Sequence, residues 1–166
     1  VLDLFLENRI KNFDPGDESL FVLQIFEQTV YRFLSCLKSL NLKRNLIEKE
    51  LSDSLESSKL RQLLSIEKSL VYFVNTLSAN DLLKLKMKRT DFLHIRTEED
   101  KMDLFEDIII DNSQALEMSN VYTNILRSTM DAYASIISNN LNVVINWVGF
   151  SCEFGKVFNI APRTST

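Results

Sequence analysis

The stretch that decides the fold is residues 97–147, TEEDKMDLFEDIIIDNSQALEMSNVYTNILRSTMDAYASIISNNLNVVINW. It contains neither Gly nor Pro, and at about 1.5 Å per residue one helix of this length would extend for roughly 75 Å. An ordinary globular helix has only about 11–12 residues. Thr97 and Asp100 form a capping pair, and the two glutamates between them supply the negative charge favoured in a first turn. We therefore predict one very long stalk helix over residues 97–148.

Small polar side chains recur along the second half of this stalk at steps of four and three residues. They are Asn124, Ser128, Asp131, Ser135, Ser138 and Asn142. Such heptad spacing normally carries Leu or Ile in a coiled coil. Apolar residues flank the stripe: Ile125, Leu126, Met130, Tyr133, Ile136, Ile137, Leu141, Val143 and Val144. A polar seam between apolar flanks is typical of helices that surround a wet axis, although a stripe that faces bulk solvent has the same spacing.

Composition and charge limit the class of protein. The chain has 166 residues, 45% of them hydrophobic, which is enough for a real core in one domain or a domain plus an extension. Its net charge of −4 argues against nucleic acid as a partner. A basic run at residues 84–96 is followed by an acidic run at residues 98–111. Blocks of this kind are solvated faces or interaction surfaces.

The positions of the Gly and Pro residues predict an all-α fold. All Gly and Pro residues lie outside residues 17–148, so no strong helix breaker interrupts that range. Cys36 lies on an apolar helical stretch and is predicted to be buried. His94, the single His, has no other His or Cys near it in sequence, which favours a surface or interface position over a ligand. No run of 18 or more apolar residues exists, so we expect a soluble fragment without a transmembrane helix.

Four segments follow from these signals. Residues 1–16 are a remnant of a preceding domain and a turn. Residues 17–96 form a long antiparallel helical hairpin, with a first helix from Ser19 to Ser52, a second from Glu56 to Leu85 and a basic connection over residues 86–96. Residues 97–148 form the stalk. Residues 149–166 are an irregular tail, of native or vector-derived origin.

Apolar stripes at helical spacing support the hairpin. The first stripe is Leu23, Phe26, Val30, Phe33, Leu37, Leu40, Ile47 and Leu51, and the second is Leu63, Ile66, Leu70, Phe73 and Leu77. Each such side chain contributes about 1.5–3 kcal/mol when fully buried. Asp17 or Ser19 is the predicted cap of the first helix.

At residues 130–144, MDAYASIISNNLNVV, the sequence resembles the CorA family of magnesium channels. The similarity extends upstream through LFEDIIIDNSQALEMSNVYTNILRS. It also includes SIEKSLVYFVNTL at residues 65–77 and RIKNFDPGDESLFVLQIF at residues 9–26. It thus covers about residues 1–145, with several motifs in the right order.

The resemblance implies a homopentamer whose long helices line a cytoplasmic funnel and pass Mg²⁺ along a central pore. Asp107 resembles the regulatory carboxylate at which Mg²⁺ between subunits favours the closed state. Asp131 and Asn142 resemble pore-facing polar rings. Whether Co²⁺ or Ni²⁺ also passes is left open. Mg²⁺ suits such groups because it binds carboxylates while keeping several waters. A solvated acidic face remains the alternative for Asp107.

The sequence also departs from the family pattern. It lacks the Gly-Met-Asn signature, both membrane helices and the preceding α/β portion that would supply the partner carboxylate of Asp107. We therefore interpret the chain as a regulatory and funnel segment at the cytoplasmic face of the membrane, tied to the membrane only through segments it lacks. The alternative is a non-enzymatic helical interaction module. An enzyme is not expected, because no nucleophile–base pair, metal cluster or glycine-rich phosphate loop is visible.

Overall fold

The structure is a computed structural model that describes residues 1–7, 10, 13–53 and 57–158. They form four α-helices: α1 (Leu2–Leu6), α2 (Glu18–Asp53), α3 (Ser57–Thr90) and α4 (Glu99–Phe158). No strand occurs in these ranges, so the prediction of an all-α chain is confirmed. None of the helices, over the residues described, is apolar enough for long enough to cross a bilayer. The chain divides into two compact units, Val1–Leu126 and Arg127–Thr166, which we treat separately.

The start of α2 is fixed by Asp17, one of the two predicted caps. Its Oδ1 accepts a hydrogen bond from the backbone N–H of Leu20 at 3.0 Å, while its backbone C=O accepts from Phe21 at 3.0 Å. Ser19 donates its hydroxyl to the same Oδ1 at 2.9 Å. One carboxylate therefore satisfies an otherwise unpaired N–H of the first turn. Upstream, α1 is held to this end of α2 by edge-to-face packing of Phe5 on Phe21, with ring centroids 5.1 Å apart.

The first unit is a bundle of α2, α3 and the first half of α4, packed with a seven-residue repeat. The buried side chains of the repeat are Leu23, Val30, Leu37, Arg44 and Leu51 on α2, Leu63, Leu70, Leu77 and Lys84 on α3, and Phe105, Asn112, Ser119 and Leu126 on α4. A strict repeat of seven is the signature of coiled-coil packing. Both predicted stripes therefore face the core.

Contacts between the helices establish their directions. The rings of Phe33 and Phe73 meet edge-on at 5.1 Å, and Lys59 pairs with Glu50, so α2 and α3 form the predicted antiparallel hairpin. Lys88 near the end of α3 bonds Glu106 near the start of α4 at 2.7 Å. Thus α4 returns alongside α3, and its N-terminal half completes the core against the hairpin.

The second helix of the hairpin is longer than predicted. We placed its end at Leu85 and a connection at residues 86–96, but α3 continues to Thr90. Lys and Arg are good helix formers, and Met87, only 9% exposed, extends the buried repeat by one more turn. The helix then stops where Asp91 takes a positive φ of 50°.

Two other boundaries and one side chain differ from the sequence predictions. The first α-helical hydrogen bond of α4 runs from the N–H of Met102 to the C=O of Glu98, which makes Glu98, not Thr97, the N-cap. The irregular tail predicted from residue 149 is wrong for residues 149–158, which continue α4, while residues 159–166 lie outside those described. A glycine inside a helix costs only about 1 kcal/mol, which neighbouring residues can offset.

Cys36, predicted to be buried, is exposed because it precedes Leu37 of the buried repeat and points outward.

Candidate functional site

The predicted regulatory carboxylate, Asp107, lies on an exposed acidic face of α4. Asp103, Asp107 and Asp111 are all exposed, at a spacing of four residues that places them on one side of the helix. Phe105 and Ile108 are each 2% exposed, so they anchor the opposite side of α4 in the core. Among the described residues no basic group pairs with the Asp107 carboxylate. The packing therefore presents Asp107 to solvent with its negative charge uncompensated.

The predicted pore-facing residues are also exposed. Asp131 and Asn142 lie in the second unit, and every other member of the polar stripe is exposed as well. The Ser135 hydroxyl donates to the backbone C=O of Asp131 at 2.9 Å. The stripe thus remains open to an ion or a partner.

Exposed apolar side chains accompany this stripe. Beyond Leu126, no residue up to 148 is buried, and the exposed apolar members are Ile136, Leu141, Val143, Val144, Ile145, Trp147 and Val148. Contiguous exposed apolar surface of this kind marks a contact site on a soluble protein. The second half of α4 therefore carries both polar and apolar groups that the described chain leaves uncovered.

The described residues contain no cluster of side chains that could by itself enclose a metal ion. In the part of the chain that the structure describes, no three His, Cys, Asp or Glu side chains lie close enough to hold a metal together. Mg²⁺ does not need such a cage, because one or two carboxylates and several waters satisfy its octahedral shell. The exposed carboxylate of Asp107 therefore has the chemistry of a single Mg²⁺ ligand.

A buried polar network lies in the bundle beneath the acidic face, and sequence reasoning missed it. The ammonium Nζ of Lys84, a residue only 2% exposed, donates to Oδ1 of Asn112 at 2.9 Å. The Asn112 amide donates in turn to the backbone C=O of Leu77 at 3.1 Å and to Oδ1 of Asp81 at 3.4 Å. The ring of Phe26 lies 5.8 Å from the same ammonium. Three helices therefore meet around one buried charge.

Burial controls the titration of this lysine. Desolvation lowers the pKa of Lys84 to about 8, although the carboxylates of Asp81 and Asp111 oppose the shift. The signal in the sequence was the continued repeat, since Lys84 lies seven residues after Leu77 and Asn112 seven after Phe105. Polar residues at such core positions specify register at some loss of stability.

A second polar contact joins the starts of α2 and α4. The Lys101 ammonium contacts both carboxylate oxygens of Asp17, at 2.9 and 2.8 Å, and also Glu98 at 2.7 Å. The hydrogen bond from Lys101 is the largest of the interactions that lower the pKa of Asp17 to about 2, and those from Leu20 and Ser19 add to it. His94, predicted at the surface, is exposed and has a φ of 54°.

Comparisons with known proteins agree with this architecture. A family model described as the CorA-like Mg²⁺ transporter protein matches residues 3–148. The cobalt/magnesium transport protein CorA of Methanocaldococcus jannaschii is 32% identical over 99 residues, which are 60% of this chain and 31% of that relative. The solved structure of the complete CorA magnesium transporter from the same organism matches in fold with a TM-score of 0.75 at 21% identity, covering 98% of this chain and 53% of that one. The chain therefore spans about a third of the curated relative and about half of the solved structure.

Proposed function

The chain belongs to the CorA-like Mg²⁺ transporter family, and we propose that it forms the cytoplasmic funnel and regulatory segment of a Mg²⁺ transport channel. In the intact protein it is a homopentamer at the cytoplasmic face of the membrane. Mg²⁺ is the principal ion, and the name of the curated relative adds Co²⁺ as a second candidate. Ni²⁺ remains a third candidate from the resemblance alone.

The observation that carries this proposal is the exposed, uncompensated acidic face of α4. Asp103, Asp107 and Asp111 repel one another by a few tenths of a kcal/mol per neighbouring pair in water. A divalent cation shared between Asp107 and another subunit relieves this repulsion and satisfies the preference of Mg²⁺ for carboxylates and retained water. The acidic face therefore suits a regulatory site at which the ion joins subunits.

Asp131 and Asn142 serve conduction in this proposal. Five copies of the exposed polar stripe placed around one axis would form rings of carboxylate and amide oxygens. Such rings attract a hydrated cation and hold it weakly enough to release it again. The exposed apolar residues on either side of the stripe would then pack between neighbouring copies.

Regulation follows from linkage between ion binding and conformation. Mg²⁺ bound at Asp107 stabilises the closed arrangement of the stalks, and its loss allows them to move apart. The ion shifts this equilibrium only by the difference between its affinities for the two states. Removing the carboxylate should therefore weaken closure by Mg²⁺ without removing conduction.

Flux measurements on the full-length protein in liposomes test the two roles separately. Asp107→Ala should leave flux measurable but shift its inhibition to higher internal Mg²⁺, while Asn142→Ala should change the flux itself. Glu117→Ala is the matched control, because Glu117 is another exposed carboxylate of α4 outside both stripes. Unchanged inhibition in Asp107→Ala would remove the regulatory role, and wild-type flux in Asn142→Ala would remove that residue from the pore.

A helical interaction module is the second candidate, favoured by exposed leucines on the outer faces of the hairpin. Leu42 is 65% exposed on α2 and Leu82 is 70% exposed on α3. This alternative predicts a protein partner that binds equally well with Mg²⁺ or with EDTA. A partner whose binding tracks Mg²⁺ would favour the channel instead.

A further inference from the structure

The connection between α3 and α4 is a rigid turn that projects an aromatic ring. The N–H of Phe92 bonds the C=O of Met87 at 3.1 Å and the N–H of Asp91 bonds the C=O of Lys88 at 3.3 Å, with Asp91 left-handed. This is a Schellman cap. The Asp91 carboxylate also accepts from the N–H of Ile95 at 3.1 Å, which closes the turn from its other side. Phe92 is 68% exposed at the tip.

Basic side chains lie on the same turn as this ring. Lys86, Arg89 and Arg96 are all exposed. Arg96 donates to the backbone C=O of Arg89 at 3.1 Å, and its Nε lies 4.0 Å from the carboxylate of Asp91, which holds Arg96 against the turn. We call residues 86–96 the basic turn. An exposed aromatic side chain with arginines on the same turn has the composition of a binding hot spot, where Arg and aromatic residues are enriched.

A groove of opposite character begins two residues beyond the basic turn. It encloses about 920 Å³ between the N-terminal segment, α2 and the first turn of α4. Leu4, Leu20 and Leu104 give it an apolar wall. Four carboxylates line it, those of Glu27, Glu98, Glu99 and Asp100, with the single ammonium of Lys101 already bound to Asp17 and Glu98. We call this the acidic groove.

We propose that the basic turn of one copy docks into the acidic groove of a second copy. The apolar wall suits Phe92, and the carboxylates at positions 99 and 100 suit the two arginines. Phe92 does not fill the groove of its own chain, because it remains largely exposed. The volume exceeds what one aromatic side chain needs and leaves room for guanidinium groups beside it. The contact joins two different surfaces, so it is heterologous and closes into a ring when the rotation permits.

This inference rests on the self-association contained in the proposed function, but it names a contact that is independent of Mg²⁺. Charge reversal with exchange of partners tests it, by sedimentation equilibrium of the 166-residue chain in EDTA. One variant carries Arg89→Glu and Arg96→Glu, and the other carries Glu99→Lys and Asp100→Lys. Each alone should self-associate at least about tenfold more weakly than wild type, because like charges then face each other. An equimolar mixture should recover association, since the turn of each variant is then complementary in charge to the groove of the other.

Matched controls separate this contact from general charge effects and from misfolding. Lys43→Glu with Lys49→Glu makes the same charge change at exposed positions of α2 and should leave association unchanged. Phe92→Ser, which removes only an exposed ring, should weaken association with an unaltered far-UV circular dichroism spectrum. A benzoyl-phenylalanine at position 92, in mixed ¹⁴N and ¹⁵N chains, should cross-link to the groove of the other copy.

Three outcomes overturn the inference. The first is a wild-type chain that stays monomeric up to about 1 mM. The second is association that both reversals leave untouched, which would mean that the groove takes a different occupant. The third is a mixture that associates no better than its separate variants. None of these outcomes tests the regulatory role of Asp107, which depends on the flux response to Mg²⁺.

Discussion

The buried Lys84–Asn112 pair yields the sharpest stability prediction. Asn112→Leu removes the acceptor of a buried ammonium, and breaking a buried charge interaction from one side typically costs about 3–5 kcal/mol. We expect about 3 kcal/mol here, because Asp81 still faces the ammonium. Lys84→Met should cost only about 1–3 kcal/mol, since it leaves an unpaired amide but removes the buried charge. The double variant replaces both polar groups with apolar ones of similar size and should equal or exceed wild type in stability.

Wild type, the two single variants and the double variant form a double-mutant cycle. Equilibrium urea unfolding followed by circular dichroism measures the free energy of unfolding of all four proteins. The single variants together cost about 4–6 kcal/mol and the double variant about none, so the expected coupling energy is about 4 kcal/mol or more, far above the roughly 0.5 kcal/mol within which independent sites add. Additive single variants, or a double variant that is the least stable of the four, would refute a direct Lys84–Asn112 interaction. Lys86→Met is the control, because Lys86 is exposed on the same helix.

The same cycle has a predicted pH dependence. The pKa of Lys84 is about 8 in the folded chain against 10.5 for an unperturbed lysine. Between these values the unfolded state binds more protons than the folded state, so stability rises with pH across that window. The destabilising charge is fully present below pH 8 and is relieved as pH approaches 10.5. Wild type should therefore gain stability relative to Lys84→Met over this range, and a constant difference would contradict the buried charge.

Three further predictions concern single positions. Asp17→Asn keeps the cap but loses the charge. The pKa of Asp17 is about 2 in the folded chain against 3.8 for an unperturbed Asp, so wild type holds extra stability above pH 3.8 and loses it as the pH falls to about 2. Acid unfolding of the variant should not show this loss. His94→Gly should stabilise the chain by about 0.5–1 kcal/mol in thermal unfolding, because a left-handed backbone suits glycine, whereas Phe92→Gly in the same turn should not. Leu70→Ala should cost about 2–5 kcal/mol and Leu64→Ala, half-exposed on the same helix, under about 1 kcal/mol in urea.

The parts of the fold that local chemistry determines were predictable. The N-cap at Asp17 follows from one carboxylate placed before an apolar repeat, and the repeat itself shows which face of α2 and α3 is buried. The boundaries were less predictable, because they depend on packing. Met87 extends α3 past the expected end, and α4 continues through the glycine at position 149.

The candidate site likewise has features that the sequence predicts and features that it does not. Asp107 is exposed, as its spacing from the buried repeat of α4 predicts, whereas Asp131 and Asn142 are exposed on a part of α4 where no residue from 127 to 148 is buried. Lys84 escaped notice because a charged residue at a core position breaks the apolar pattern by which cores are recognised. The acidic groove also escaped notice, because its walls come from three segments far apart in sequence and only folding brings them together.

The change in character of α4 at Leu126 connects the fold to the proposed assembly. Up to that residue, side chains of the seven-residue repeat are buried against the hairpin, and beyond it no residue up to 148 is buried. An isolated helix is marginal in water, since most helical stability in proteins comes from packing of an apolar face. Covering exposed residues such as Leu141, Val144 and Trp147 would therefore stabilise this part of the helix. In the proposed assembly further copies of the same helix would supply this cover, because each brings identical apolar flanks and would leave Asp131 and Asn142 facing a shared aqueous axis.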